Sequence, residues 1–206
     1  NYNMTVREAL PIVKYSGTTG ENLTWELYTN GVLRINGTGA MPDYHYNKNN
    51  ANAAPWAQYR AEITKVVIGA GVQNIGSFAF YQCTVLSTVE FAENATLTVI
   101  NTGAFGYTAA LKNITLPASL KVIGNNGFYF SGLETVAFAE GSQMTTFGEC
   151  AFRDCTSLTS VFVPETVASL SGVPFYNCGS QLVLNVAAGS YAERYAQSAG
   201  IQYTTR

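Results

Sequence analysis

The feature that most constrains this chain is a short phrase that recurs at a nearly constant interval. The copies occupy residues 75–80, 100–105, 123–128, 147–152 and 170–175, and they close on Phe80, Phe105, Phe128, Phe152 and Phe175. The interval between successive closing Phe residues changes by no more than two positions along the chain. A fixed period of roughly 20–50 residues indicates a solenoid. A solenoid presents an extended surface rather than an enclosed pocket.

Each unit places a short alternating strand before the phrase and a Leu after it. The strands are predicted at 65–68, 88–91, 113–116, 135–138 and 160–163, and the closing residues are Leu86, Leu111, Leu133, Leu158 and Leu182. Alternation turns every second side chain inward. One unit cannot bury its apolar side alone, so the units must stack, with strands about 4.8 Å apart.

This pattern resembles the BspA-like class of leucine-rich repeats. The resemblance rests on the phrase Ile-Gly-x-x-Ala-Phe-x-x-Cys-x-x-Leu, which is closest at 75–86 and 147–158, and it covers about residues 63–203. It implies a mainly β fold with short helices, built as a leucine-rich-repeat solenoid of about five repeats, each of about 23–25 residues. It also implies a secreted or cell-surface bacterial protein, with adhesion or host-protein binding as expected roles.

Segments at both ends of the repeats are predicted to be caps, because a solenoid must cover its open ends. Residues 1–62 are expected to contain a lead strand, a β-hairpin around Asn30-Gly31, a polar loop and a short helix at 54–62. The repeats then occupy 63–182. Residues 183–206 are expected to form a cap whose helix begins after Ser190 and ends at Gly200. The three segments are predicted to form one structural unit.

Composition excludes several classes of function. The 206 residues carry 11 basic and 13 acidic side chains, so nothing favours a nucleic-acid partner. No run of apolar residues is long enough for a membrane span. The single histidine, His45, has no nucleophile motif near it, and no phosphate loop or calcium loop is present. The sequence therefore predicts a non-catalytic chain without a cofactor.

Three of the four cysteines share one slot of the repeat, where other units carry Thr108 and Ser131. They are Cys83, Cys155 and Cys178. Equivalent slots stack along a solenoid, so the favoured interpretation is a buried ladder of small residues. A bridge between Cys155 and Cys178 on adjacent coils stays open. Metal binding is disfavoured, because no CxxC or His partner is present.

The outward strand positions form two columns on the predicted concave sheet. The first contains Lys65, Thr88, Asn113, Thr135 and Ser160, and the second contains Val67, Glu90, Thr115, Ala137 and Phe162. Concave solenoid surfaces are common binding sites. An exposed Phe on a strand is the sharpest candidate for an anchor to a protein partner. The alternative is a solvated sheet without a ligand.

Aromatic residues supply a second candidate surface. Tyr81, Tyr129 and Tyr176 each follow the closing Phe of a phrase, with Tyr107 and Phe130 beside them, and Tyr44 and Tyr46 lie in the polar loop. Such a strip could bind glycans by stacking, or it could simply pack.

Three functions therefore stand as hypotheses. The leading one is recognition of a protein, with host extracellular proteins among the candidates, by an extracellular or cell-surface module. The alternatives are glycan binding and purely structural display of other domains.

Overall fold

The structure, a computed structural model, describes residues 11–206. The part of the predicted lead segment that falls within residues 1–10 lies outside the described residues. The elements begin with β1 (Val13–Thr19), β2 (Leu23–Tyr28), β3 (Val32–Gly39) and a 3₁₀ turn (Ala57–Tyr59). They continue with β4 (Lys65–Ile68), β5 (Gly71–Val72), β6 (Asn74–Ile75), β7 (Thr88–Phe91), β8 (Val99–Ile100), β9 (Asn113–Leu116), β10 (Val122–Ile123), β11 (Thr135–Phe138) and β12 (Thr146–Phe147). They end with β13 (Ser160–Phe162), β14 (Ser169–Leu170), β15 (Val183–Val186), α1 (Tyr191–Ala199) and β16 (Gln202–Thr205).

The predicted N-terminal hairpin is present as β2 and β3, and β1 adds a third antiparallel strand. Strand β3 then runs parallel to β4, so the hairpin continues directly into the sheet of the repeats. The inward residues Trp25, Leu27, Leu33 and Ile35 are buried. They cover the apolar end of the stack, which is the role expected of a cap.

The repeats stack as a mainly β solenoid, which confirms the predicted fold class. The longer strands form the concave sheet, and the short strands β6, β8, β10, β12 and β14 form a second parallel sheet of one strand per coil. Inward residues of both sheets join one continuous hydrophobic cluster that extends from Leu23 to Ala196.

A ladder of aromatic rings runs through this core. Successive ring centroids are 5.1 Å apart for Phe80–Phe105, 5.2 Å for Phe105–Phe128, 5.3 Å for Phe128–Phe152 and 5.5 Å for Phe152–Phe175. Trp56 extends the ladder at the N-terminal end, with its ring 5.8 Å from that of Phe80. Trp56 precedes Phe80 by the same interval that separates the later rings, so it occupies the slot of a closing Phe.

This placement of Trp56 accounts for a difference from the expected helix at 54–62. The structure has only the 3₁₀ turn there, because the Tyr59 N–H bonds the Trp56 carbonyl three residues back, as the Cys83 N–H bonds the Phe80 carbonyl in the next coil. The C-terminal helix is confirmed as α1, with Ser190 as its N-cap and Gly200 in the left-handed conformation at its C-terminus. The Oγ of Ser190 accepts a hydrogen bond from the backbone N–H of Glu193. Strand β16 then pairs parallel to β15 and closes the concave sheet.

The concave sheet is interrupted between β7 and β9, which the repeat pattern does not predict. Strand β7 ends a sheet that starts at β1, and β9 begins a separate sheet that continues through β11, β13 and β15 to β16. The second sheet is continuous across the same coils, because β8 pairs with both β6 and β10. The interruption is therefore confined to the concave face.

Candidate functional site

Strand register places the predicted concave residues in two columns within each part of the sheet. Lys65 lies beside Thr88 and Val67 beside Glu90. In the other part, the aligned pairs are Asn113–Thr135, Thr115–Ala137, Thr135–Ser160 and Phe162–Asn185. All ten predicted residues are exposed or half-buried, whereas the strand residues between them are buried.

Several polar residues of the first column are bonded to side chains on neighbouring strands. The Lys65 ammonium lies 2.6 Å from the Glu90 carboxylate. The Thr135 hydroxyl donates to Asn113 Oδ1 at 2.6 Å. The Asn185 amide likewise donates to the Ser160 hydroxyl at 2.9 Å. These cross-strand pairs support the sheet, so a ligand that uses the same groups must exchange those hydrogen bonds.

A groove of about 560 Å³ opens where the concave sheet is interrupted. Glu90 and Phe91 line one wall, and Asn113, Thr115 and Pro117 line the other. Three of the predicted concave residues therefore meet at one depression. Because β7 pairs with β4 and β9 with β11, each strand has its second edge facing this groove.

A second concave groove, of about 760 Å³, contains Phe162 with Phe138 and Pro164. The expectation that Phe162 is exposed is wrong, because its ring is half-buried. The guanidinium carbon of Arg206 lies 3.5 Å from the ring centroid, so the cation covers part of the face. Phe162 can still contact a partner through its uncovered edge.

The predicted aromatic residues fall into different environments. Tyr46, which is 52% exposed, lies 6.2 Å from Tyr81, and Tyr81 stacks on Tyr129 at 6.1 Å between ring centroids. Tyr44 instead packs edge-on against Trp56 at 5.6 Å. Tyr176 is well exposed and lies apart from this group. Three of the five predicted rings therefore form one contiguous surface.

Burial explains the separate role of Tyr44. Its hydroxyl hydrogen-bonds the hydroxyl of the buried Thr19 in the N-terminal cap. Burial raises the pKa of Tyr44 to about 12. These contacts join the polar loop to the cap, so Tyr44 stabilises the fold rather than lining an open surface.

Three further aromatic residues complete the surface around Tyr81 and Tyr129. The Phe78 ring lies 5.6 Å from that of Tyr81, and the Tyr107 ring lies 5.1 Å from that of Tyr129. Phe130 stacks on Tyr107 at 4.9 Å with an interplanar angle of 9°. The sequence predicts Tyr107 and Phe130 beside Tyr81 and Tyr129. It does not single out Phe78, although Phe78 precedes the closing Phe80 by two positions.

Comparison with known proteins identifies the family. A family model described as a BspA type leucine rich repeat region matches residues 56–183 with six copies. The chain belongs to the BspA-type leucine-rich repeat family. The six copies exceed the five phrases visible in the sequence, and Trp56 adds a sixth ring to the stacked ladder. A search of curated proteins found no match.

Solved structures of several bacterial proteins share this fold. The Treponema pallidum leucine-rich repeat protein matches with a TM-score of 0.57 and 24% identity over 91% of this chain and 98% of that one. The pneumococcal vaccine antigen PcpA matches with a TM-score of 0.59 and 16% identity. A Bacteroides ovatus leucine-rich repeat protein matches with a TM-score of 0.55 and 24% identity. The matches cover 86% and 82% of this chain but only 51% and 46% of those proteins. The fold therefore supports a repeat-based binding or display module.

The cysteine slot of the BspA-type repeat is buried, and the thiols in it are free. The Sγ of Cys155 donates to the Phe128 carbonyl at 3.1 Å, and that of Cys178 donates to the Phe152 carbonyl at 3.0 Å. Burial raises the pKa of Cys83 to about 12 and that of Cys155 to about 11. Neutral, hydrogen-bonded thiols are poor nucleophiles and poor metal ligands, so this slot serves packing.

The single histidine makes local contacts in the polar loop. His45 stacks on Tyr46, and its Nδ1 accepts a hydrogen bond from the Asn47 backbone N–H at 3.0 Å. Within the described part of the chain, no group of three His, Cys, Asp or Glu side chains could hold a metal ion. No helix over the same residues has the length and apolar character that crossing a membrane requires.

Proposed function

We propose that the chain is a non-catalytic binding module that recognises a protein partner through its concave sheet. The observation that carries this proposal is the groove between β7 and β9. Two parallel strands there turn an edge toward solvent, and Glu90, Asn113 and Thr115 lie on its walls. Some Cα atoms of β7 and β9 lie within 8 Å of each other, which is too close for a further strand between them. An extended peptide segment can instead lie along the groove, where the unpaired backbone groups of both edges and the side chains on the walls supply its contacts.

The surroundings of the groove fit a polypeptide better than a nucleic acid. The chain has a net charge of −2, and Lys65 is already paired with Glu90. Phe162 and Phe138 in the second groove add apolar contact area on the same sheet. Buried aromatic anchors dominate the binding energy of many protein interfaces.

The partner that we infer is extracellular. The BspA-type repeat and the shared fold with a pneumococcal vaccine antigen support an extracellular or cell-surface location. A host extracellular protein is then the partner class to examine first. The raised pKa values of the buried Cys83 and Cys155 thiols disfavour a cysteine nucleophile.

The test is saturable binding of the purified chain to immobilised extracellular-matrix proteins and mucins. We expect Glu90→Lys and Phe162→Ala each to weaken that binding by about tenfold or more. The thermal midpoint of Glu90→Lys should stay within a few degrees, because an exposed ion pair contributes less than about 1 kcal/mol.

Glu21→Lys is the matched control, since Glu21 is an exposed acidic residue of the N-terminal cap, away from the concave strands. It should leave binding unchanged. Binding that survives both concave substitutions contradicts the proposed site. If no matrix protein or mucin binds saturably, display of other domains becomes the better explanation.

A further inference from the structure

The aromatic surface formed by Phe78, Tyr81, Tyr107, Tyr129 and Phe130 has an unusual backbone. The four coils that close on Phe80, Phe105, Phe128 and Phe152 each have two positions with a left-handed backbone, one two positions before the closing ring and one two positions after it, and the coil of Phe175 keeps the second of these. Gly103, Asn126, Asp154 and Asn177 occupy such positions with φ between 54° and 61°. Gly, Asn and Asp are the residue types that tolerate the left-handed backbone conformation.

Three bulky aromatic residues occupy the same left-handed positions. They are Phe78 at φ 55°, Tyr107 at 59° and Phe130 at 54°. An aromatic side chain is disfavoured there, because its Cβ crowds the following carbonyl oxygen. All three line one groove. The left-handed turn itself belongs to the repeat, since Gln82 and Cys150 also adopt it. What distinguishes this groove is that three of these positions carry aromatic rings, whose direction the turn fixes.

Glycine makes room for the ring stacking within this surface. Gly106 occupies the slot in which neighbouring coils carry Tyr81 and Tyr129. A Cβ at Gly106 would collide with the Tyr129 ring and crowd that of Tyr81. Its absence lets the two tyrosines stack across the intervening coil, with an interplanar angle of 25°. The surface is thus a continuous set of rings rather than a series of isolated ones.

The groove beside these rings also contains polar groups. It encloses about 330 Å³, and Thr102, Asn126 and Arg153 contribute to its lining. Among the described residues, the Thr102 hydroxyl and the Asn126 amide have no side-chain hydrogen bond. Arg153 bonds Asp154 through its Nε at 3.0 Å, and its guanidinium carbon lies 5.6 Å from the centroid of the Tyr176 ring. Within residues 11–206 its terminal nitrogens have no hydrogen bond, so they can serve a ligand. Arg153 is the sole charged residue among those that line the groove.

We propose that this groove binds a carbohydrate that carries a carboxylated sugar. A pyranose presents C–H groups on one face, which stack on aromatic rings, and hydroxyls at its rim, which pair with hydroxyl and amide groups. The guanidinium of Arg153 supplies a charge-assisted partner for the carboxylate. A proline-rich peptide would also stack on the rings, but it offers only carbonyl acceptors to the Thr102 and Asn126 side chains.

This site is separate from the proposed protein-binding surface. None of its lining residues belongs to the concave strands β4, β7, β9, β11, β13 and β15. Either site can therefore fail without the other. Phe162→Ala should leave carbohydrate binding intact.

The experiment is a glycan array that carries uronate-containing, sialylated and neutral oligosaccharides, with a proline-rich peptide as a further probe. Calorimetry with the strongest carboxylated binder follows. We expect binding to carboxylated oligosaccharides, and we expect Phe130→Asn and Tyr107→Asn each to lower the affinity by at least about tenfold. We expect Arg153→Gln to reduce the preference for carboxylated over neutral sugars.

The choice of Asn separates loss of binding from loss of folding. Asn suits the left-handed backbone at residues 107 and 130, so the thermal midpoint of both variants should stay the same or rise. The matched control is Gln82→Asn, at the equivalent left-handed position one coil earlier and outside the groove. It should leave binding unchanged.

Three results would overturn the proposal. The first is binding of the peptide but of no oligosaccharide. The second is carbohydrate binding that is unchanged in Phe130→Asn and Tyr107→Asn. The third is an array without any bound oligosaccharide.

Discussion

At the residue scale, one slot of the repeat determines how the molecule is packed. Phe105 is fully buried, with Phe80 at 5.1 Å on one side and Phe128 at 5.2 Å on the other. The small residue before four of the rings, such as Ala104, lets neighbouring coils approach closely. The aromatic ladder therefore couples each coil to the next through direct contact, as nearest-neighbour stability in a solenoid requires.

Replacing one ring of the ladder should destabilise the whole stack. We expect Phe105→Ala to lower the free energy of unfolding by about 3–5 kcal/mol, because the buried ring leaves a cavity between two others. Urea denaturation followed by circular dichroism measures this. The control is Tyr176→Ala. Because the Tyr176 side chain is 54% exposed, this substitution should lower the free energy of unfolding only slightly. A cost below about 1 kcal/mol for Phe105→Ala would contradict the core assignment.

At the scale of elements, the two ends of the stack use different caps. The N-terminal end is covered by three antiparallel strands, of which β3 runs on parallel to β4. The C-terminal end is covered by α1, whose buried residues are Ala192 and Ala196. Glu193 helps to start this helix, since its carboxylate accepts a hydrogen bond from the Gly189 backbone N–H at 2.6 Å. Each cap satisfies backbone groups that a terminal coil would otherwise leave unpaired.

The start of α1 provides a test of the C-terminal cap. We expect Ser190→Ala to lower the free energy of unfolding by about 1 kcal/mol, because the N–H of Glu193 loses its acceptor. Ser198→Ala is the matched control near the other end of the same helix. Its hydroxyl bonds only the exposed Tyr195 carbonyl, so its loss should be close to neutral. Equal costs for the two substitutions would show that the Ser190 cap contributes nothing specific.

The elements also divide into those that the sequence predicts and those that it does not. The regular spacing of the closing Phe residues predicts the solenoid, and Asn30-Gly31 and Ser190 predict the hairpin and the helix start. Trp56 was predicted to lie in a short helix, although its spacing from Phe80 matches the repeat period and places it in the ladder. The left-handed aromatics were not predictable, because propensity disfavours Phe130 in that backbone and only the surrounding coils impose it. The concave binding residues stay a prediction, since register fixes their direction but not their ligand.

At the scale of the whole molecule, two sheets hold the coils together unequally. The sheet of short strands runs without a break from β6 to β14, whereas the concave sheet is divided between β7 and β9. Phe105 and Phe128 still stack across the same boundary. The molecule should therefore unfold as one unit while opening locally on its concave face, because local stability follows local hydrogen bonding.

Amide hydrogen exchange can detect this local opening. We expect β9 (Asn113–Leu116) to exchange faster than β11 (Thr135–Phe138), because β9 has a strand partner on one side and β11 has partners on both sides. The short strands β8 and β10 serve as the internal control, since each is paired on both sides and should be equally protected. Equal protection of β9 and β11 would contradict an open edge at the interruption. A protein partner that binds in this groove should slow exchange in β9 and leave the exchange of β10 unchanged, which links the stability of this edge to the proposed binding.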